Sequence, residues 1–329
     1  MRLLIASSWD RTVRIWNVTG DVVASASAPS VGPPIATLFD GKEHSAPILD
    51  ACLTSDGRAF FGGCCKSAMV WDLTSGQTSQ VAAHQLPVSC LRYVSEQIQH
   101  QMLITASWDG NIHFWDLRQQ RPARTETLGL PIFAMDVSTS PMVTFATGRK
   151  LLVYNLQTMS RFTALDPHQL MKFQFRDVSN YENQSAVLVG SAEGRISAIP
   201  IGQNTGSNSG HNFCFKAHCV PTPSKHNHYT MYQTNFVAVH PNNGTGVTGG
   251  SDGTVRIWNL GGKSQVHEVA ARQFEGQAVP VSAGDLSPDG SVIAFGVSYD
   301  WSMGKDHAKP NSPCSVVLLP IATTWLRPA

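Results

Sequence analysis

The chain has 329 residues, 42% of them hydrophobic and only 14% charged, with 24 Lys and Arg against 23 Asp and Glu for a formal net charge of +1. So balanced a chain sets up no field strong enough to hold nucleic acid by charge alone, and it has no run of about 18 uncharged apolar residues that would cross a bilayer as a helix. The seven cysteines, Cys52, Cys64, Cys65, Cys90, Cys214, Cys219 and Cys314, are odd in number and lack C-x-x-C spacing. This points to free thiols in a reducing compartment, cytosol or nucleus, rather than to a disulfide scaffold.

From the N-terminus, the apolar stretch within Met1–Asp10 is too short for a secretory signal. Residues 3–18, LLIASSWDRTVRIWNV, open with a short apolar strand, turn at Asp10, and continue as an alternating strand that ends in Trp16. The same plan recurs at 59–73 (AFFGGCCKSAMVWDL), with Lys66 read as standing where the turn Asp belongs, and at 102–117 (MLITASWDGNIHFWDL). It returns at 142–156 (MVTFATGRKLLVYNL, Tyr154 for Trp), at 186–201 (AVLVGSAEGRISAIPI) and at 245–260 (TGVTGGSDGTVRIWNL). A last copy, SVIAFGVSYDWS from 291, carries a long insertion before SVVLL at 315–319. Further strands, at 48–53, 88–91, 132–135, 236–239 and 281–284, precede most copies, and Pro47, Pro87, Pro131 and Pro280 introduce four of them. No amphipathic helix is evident.

Seven units spaced near the 40–45 residues of a four-stranded blade predict an all-β, seven-bladed WD-repeat β-propeller over residues 1–329. The chain begins at a second strand, so the first blade is expected to lack its inner strand and the ring an obvious closing strand. A truncated start, or compensation by the C-terminal IATTWLRPA, would account for this. Residues 202–228 hold two polar stretches, GQNTGSNSGH and PTPSKHNH, read as loops between blades.

Asp109 and Asp252, with Ser107 ahead of the first, satisfy turn amides. Trp71, Trp115 and Trp258 read as core, and His44 and His84 as members of buried Asp–His–Ser–Trp networks within blades. A catalytic reading of these His, Ser and Asp residues competes, but recurrence in several blades marks architecture rather than a unique site. Cys214, His218, Cys219, His226 and His228 cluster without the spacing of a zinc site. No phosphate loop or nucleophile elbow occurs. The expectation is a binding protein with no cofactor, no metal and no catalytic residues.

Two features exceed what the scaffold needs. Trp9 and Trp108 precede the turn Asp, where a blade normally carries a small or polar residue, and Tyr299-Asp300-Trp301 occupies the corresponding turn of the last unit. Large rings at hairpin tips would form an apolar interface patch; the competing reading is that each ring folds onto its own hairpin. Arg195 and Lys216 supply cations nearby in blade order, suited to a partner's carboxylates, with solvated surface charge as the alternative.

The chain carries the strings Ser191-x-Glu193-Gly194-Arg195, Phe213-x-Phe215-Lys216-x-His218, Gly249-Gly250-Ser251-Asp252-Gly253 and Ser298-Tyr299-Asp300-Trp301-Ser302-x-Gly304. Together they resemble the WD-repeat messenger-RNA export factors of the nuclear pore, relatives of the spindle-checkpoint "budding uninhibited by benzimidazole" propellers, over essentially Leu3 to Leu319. The Asp300-Trp301-Ser302 string favours the export factors. The resemblance implies a non-enzymatic adaptor located at the nuclear envelope and pore and shuttling to the cytoplasm. It would bind the acidic GLEBS segment of a nucleoporin and act with the messenger-RNA export receptor and RNA–protein particles. By motif position, Trp9, Arg195 and Lys216 would engage that segment, with Trp108, Tyr299 and Trp301 at the rim. Ala217-His218-Cys219 stands in place of the family's Cys-His-Arg run, which removes one basic contact. The rival readings are a checkpoint propeller recruiting a kinase or kinetochore scaffold, and a generic WD adaptor of a multiprotein complex.

Overall fold

The structure, a computed structural model, describes residues 2–19, 35–94, 101–119, 121–138, 141–165, 169–183, 185–201, 213–222, 228–271, 273–309 and 311–326. Its regular elements are antiparallel strands apart from two single-turn 3₁₀ helices, Lys305–His307 and Thr323–Trp325. Seven successive sheets give the expected blade sequence of a seven-bladed propeller.

The strands gather into two compact units, the first holding residues 2–19 and 35–163 and the second the described residues from Ala164 onward. In the first unit, β1 (Arg2–Ser7), β2 (Thr12–Thr19) and β3 (Ile35–Glu43) form a three-stranded sheet. Two four-stranded sheets follow: β4 (Ile48–Leu53), β5 (Arg58–Gly63), β6 (Ser67–Asp72), β7 (Thr78–Ala83), then β8 (Val88–Val94), β9 (Met102–Ser107), β10 (Asn111–Asp116), β11 (Arg124–Thr127). The fourth sheet comprises β12 (Ala134–Val137), β13 (Met142–Thr147), β14 (Lys150–Asn155) and β15 (Ser160–Leu165).

In the second unit, the fifth sheet is β16 (Phe175–Asn180), β17 (Ala186–Ser191), β18 (Arg195–Pro200) and β19 (Phe213–Lys216), followed by a hairpin of β20 (Cys219–Pro221) and β21 (Tyr229–Met231). The sixth is β22 (Thr234–Val239), β23 (Thr245–Gly250), β24 (Thr254–Asn259) and β25 (Ser264–Ala270), with a hairpin of β26 (Gln273–Phe274) and β27 (Gln277–Ala278). The last sheet has three strands, β28 (Val281–Leu286), β29 (Val292–Val297) and β30 (Ser315–Pro320). Within 202–228, residues 213–216 and 219–221 are therefore strand rather than loop, while 202–212 and 223–227 lie outside the described residues. The final residues of IATTWLRPA, 327–329, also lie outside them.

Burial follows strand rank. The second strands β13, β17 and β23 are buried at every position, whereas outer strands such as β7 and β11 are largely exposed. A second strand buried at every position must carry apolar or small side chains in both alternating sets, so periodicity 2 disappears from the sequence. Phe60, Leu91 and Trp115 pack in one such layer, Ile104, Phe114, Phe145 and Tyr154 in the next, and Leu188, Ile196 and Trp258 in a third. Trp71, Trp115 and Trp258 are buried, as their place at the end of each repeat predicts, while Trp16 is half-buried.

The polar networks depart from expectation in three ways. In the third sheet, the Trp115 indole N–H donates to Thr105 Oγ1 at 2.9 Å, Thr105 Oγ1 lies 2.8 Å from His84 Nε2, and His84 Nδ1 lies 3.3 Å from Asp109 Oδ2. With neutral imidazole protonated at Nδ1, every donor in the chain Trp115–Thr105–His84–Asp109 meets an acceptor. The hydroxyl is thus that of Thr105, which shares the buried face with Trp115. Ser107 instead donates to the Leu86 carbonyl and accepts the Asp109 N–H, each at 3.1 Å. The sixth sheet repeats the arrangement with His218, Thr248, Trp258 and Asp252, so His218 is a structural residue, spent on its blade. The second sheet lacks the network: the place of Thr105 is taken by Phe61, against whose ring His44 lies edge-on at 5.8 Å, and the Trp71 indole nitrogen has no hydrogen-bond partner. His44 is half-buried, and its imidazole Nδ1 lies 3.2 Å from the neighbouring Ser45 hydroxyl.

The third difference is one of register. The turn Asp stands six residues before the closing Trp, which in the second sheet is Cys65, whose sulfur lies 3.2 Å from the Ser67 hydroxyl. Lys66 occupies the next position, φ 65°, where Gly110, Gly194 and Gly253 adopt the left-handed conformation elsewhere. At Gly194 the need is absolute, since a Cβ would lie 2.3 Å from the Tyr232 carbonyl oxygen.

Burial, reinforced by neighbouring His113, pulls the His84 imidazole down to about 4 from its ordinary 6.5. A base whose folded value is depressed takes up its proton more readily when unfolded. Its contribution is therefore intact above 6.5 and is lost as the pH falls toward 4, to the extent of roughly 3 kcal/mol. Denaturant titrations at pH 7 and 4.5 should show a larger loss for the native chain than for His84→Gln; equal losses would place the acid sensitivity elsewhere.

Candidate functional site

Arg195 and Lys216 face each other directly across the β18–β19 pair. Like charges so placed repel, and each is drawn to a different partner. The Lys216 ammonium sits 4.4 Å from the centre of the Tyr229 ring on β21, a cation–π contact, and Arg195 Nε lies 3.8 Å from Glu193 Oε2. Between them opens a cleft of about 450 Å³ lined by Phe173, Glu193, Arg195, Lys216, His228 and Tyr229 among others. Phe173 and Tyr229 are 60% and 47% exposed.

Glu193 holds one wall in place. Its Oε1 accepts the backbone N–H of Lys172 at 2.6 Å and that of Phe173 at 3.4 Å, fixing the segment that presents the Phe173 ring. Beside Arg195, the Cys214 thiol is pushed up by burial, with the guanidinium pulling the other way, so it is no ready nucleophile. Two cations, two exposed rings and a carboxylate in an open cleft suit an extended ligand that carries both acidic and apolar groups.

The aromatic tips divide. In the first unit Trp9 is 63% exposed on a turn secured by Asp10, which accepts the Thr12 N–H at 2.9 Å and pairs with Arg14 at 2.8 Å. Trp108 is half-buried. In the second unit the Tyr299 hydroxyl donates to the Gly304 carbonyl at 2.6 Å and its half-buried ring meets that of Trp301 at 5.6 Å. Trp301 itself is 53% exposed with φ 61°. It therefore fills the left-handed turn position, and Tyr299, not Trp301, is the counterpart of Trp9 and Trp108. A non-glycine residue there costs on the order of 1–3 kcal/mol and persists only where its surroundings impose it. Here Asp300 is clamped by the Ser251 hydroxyl and by the Asn235 amide at 2.8 Å.

The structure brings Arg195 and Lys216 into one cleft and Tyr299 and Trp301 into one turn, and places Trp9 and Trp108 on separate hairpin tips of the first unit. The roles of Phe173, Glu193 and Tyr229 were missed from the sequence. Glu193 sits six residues before Ile199, the place of the closing Trp, and so in the turn-Asp place, and could have been found by that count; Phe173 and Tyr229 lie outside the repeat pattern. Among the described residues no group of three His, Cys, Asp or Glu side chains is placed to hold a metal, and His226 of the sequence cluster lies outside them.

Residues 1–17, 76–116 and 219–259 match the family "WD domain, G-beta repeat". Over 99% of its length the chain is 32% identical to the "Poly(A)+ RNA export protein" of Schizosaccharomyces pombe, covering 86% of that protein. It is 31% identical to "mRNA export factor GLE2" of Chaetomium thermophilum, with 99% and 85% covered, and 33% identical to "WD40 repeat protein poxJ" of Penicillium oxalicum, with 99% and 89% covered. Among solved structures, "Structure of U3-55K" superposes with a TM-score of 0.69 over 97% of this chain and 92% of that one, at 16% identity. That likeness is one of fold.

Proposed function

Because the chain belongs to the family of WD-repeat messenger-RNA export factors, we propose that it is a non-enzymatic adaptor that holds an acidic, GLEBS-like nucleoporin segment at the nuclear pore. Arg195 and Lys216 take the carboxylates of that segment, and Phe173 and Tyr229 its apolar side chains. Trp9 and Trp108 in the first unit, and Tyr299 and Trp301 in the second, are the further aromatic anchors offered to a partner segment. The observation that supports this reading best is the open cleft in which both cations stand beside two exposed rings. An adaptor so placed works at the nuclear envelope, shuttles to the cytoplasm, and meets the export receptor and RNA–protein particles through its partners. A net charge of +1 leaves little electrostatic drive for RNA itself.

The test is direct binding of a synthetic GLEBS segment by calorimetry, together with a pull-down from nuclear-envelope extract. Nucleoporins as the directly bound protein support the reading, whereas kinetochore proteins in their place, with no binding of the synthetic segment, overturn it. Trp9→Ala tests the rim. With the ring 63% exposed, stability should change by no more than about 0.5 kcal/mol, while binding weakens by at least about 2 kcal/mol. A large loss of stability with binding intact would mean that the ring serves its own hairpin.

A further inference from the structure

Glu193 occupies the turn-carboxylate place of its blade, six residues before Ile199, as Asp109 and Asp252 precede Trp115 and Trp258 by six. There the carboxylates are engaged by a buried histidine: His84 on Asp109, His218 on Asp252. One duty is shared. Asp109 accepts the Gln85 N–H at 2.8 Å, as Glu193 accepts that of Lys172. The other is not. The residue ahead of Lys172, where the histidine stands in the other two blades, is Met171, fully buried and without an ionisable group. Glu193, a methylene longer than Asp, instead reaches out with Oε2 to 3.8 Å from Arg195 Nε, with both side chains part-exposed (15% and 22%) on the cleft wall.

We propose that Glu193 is a specificity-determining residue of this cleft: one oxygen anchors the Phe173 wall and the other competes with an incoming carboxylate for the Arg195 guanidinium. The separation of 3.8 Å is an ion pair without a hydrogen bond, so a ligand that forms a bidentate, hydrogen-bonded pair with Arg195 displaces it favourably. A ligand without a well-placed carboxylate meets a guanidinium already countered and a like charge beside it. Glu193 thereby raises the threshold for weakly acidic peptides and favours segments with adjacent acids that engage Arg195 and Lys216 together. The inference rests on the reading of the cleft as the seat of an acidic segment.

The test is fluorescence anisotropy with a labelled synthetic GLEBS segment and with a copy in which one of its acidic residues is replaced by the corresponding amide, against the native chain, Glu193→Gln, Glu193→Ala, Arg195→Gln and the double variant. The amide of Glu193→Gln keeps an oxygen for the Lys172 N–H and removes the charge. It should tighten binding about two- to fivefold, the scale of one part-exposed ion pair, and should narrow the preference for the fully acidic segment. On the Arg195→Gln background the gain should vanish. Glu193→Ala, which also releases the Phe173 wall, should bind less tightly than Glu193→Gln. Unchanged or weaker binding by Glu193→Gln, while Arg195→Gln still weakens it, overturns the competition and leaves the cleft reading standing. If Arg195→Gln binds as the native chain does, the cleft reading itself fails. Equal gains for Glu193→Ala and Glu193→Gln overturn the anchoring role.

Discussion

Replacing Asp252 with alanine is expected to remove about 3–5 kcal/mol of stability, the scale of stripping one partner from a buried charged cluster. Asp252 is 3% exposed at its side chain and holds three neighbours: His218 Nδ1 at 2.9 Å, the Thr254 hydroxyl at 2.9 Å, and Arg256, whose Nη2 approaches Oδ2 at 3.1 Å. The arginine contact is an ion pair without good hydrogen-bond alignment. Burial pushes the carboxyl upward, but the bond from His218 and the nearby Arg256 outweigh it and hold it below the usual range. In the alanine variant the His218 N–H, 0% exposed, loses its acceptor with little access to water, and the Arg256 guanidinium, 10% exposed, loses the more buried of its two counter-charges while keeping the Ala217 carbonyl and the Glu268 carboxylate. The corresponding cut at Asp109, whose buried partner His84 is neutral, should cost less, about 1–3 kcal/mol. Chemical denaturation of both variants decides the matter. A loss below about 1 kcal/mol at Asp252 would mean that the cluster does not brace its blade.

Arg195→Glu should weaken binding of an acidic segment by about 2–5 kcal/mol, a drop of roughly thirtyfold to several thousandfold, while the melting temperature stays close to that of the native chain. The separation of effects follows from position. Arg195 is the first residue of β18, its side chain lines an open cleft, and its nearest ion pair is long, so the fold draws little from its charge. The new carboxylate would face Glu193 as well as the ligand. If calorimetry finds binding undiminished, the cleft is not the seat of the acidic segment.

The blades were legible because their signals are local. A turn Asp, a following residue in left-handed conformation and a closing Trp stand at constant spacing, and the second strands read as continuous apolar runs since both their faces are covered. Where the spacing was judged by residue type instead of counted, it misled: Lys66 was given the place of Cys65. The network hydroxyl was assigned to Ser107 because Ser recurs beside the turn; alternation puts both hydroxyls on the face of Trp115, and it is Thr105, one step further from the turn, that lies within reach of the Trp115 indole and His84, while Ser107 is spent on the turn itself. His218 was grouped with nearby cysteines and histidines because its true partners, Thr248 and Asp252, are 30 and 34 residues away in the chain. The cleft was half legible. Arg195 and Lys216 stood out as cations near motif positions, but Phe173 and Tyr229 come from the loop ahead of β16 and from the hairpin after β19, which belong to no repeat and join the site only through the fold.

The central claim is that Arg195 meets a carboxylate of the bound segment, and a charge swap tests it most directly. Arg195→Glu and the native chain are each titrated with a synthetic GLEBS segment and with a copy whose acidic residues are replaced by lysine. The account predicts that the native chain prefers the acidic segment, that Arg195→Glu loses it, and that the lysine copy recovers part of the affinity on Arg195→Glu alone. Equal binding of both segments by the native chain, or no recovery in the swapped pair, would contradict it.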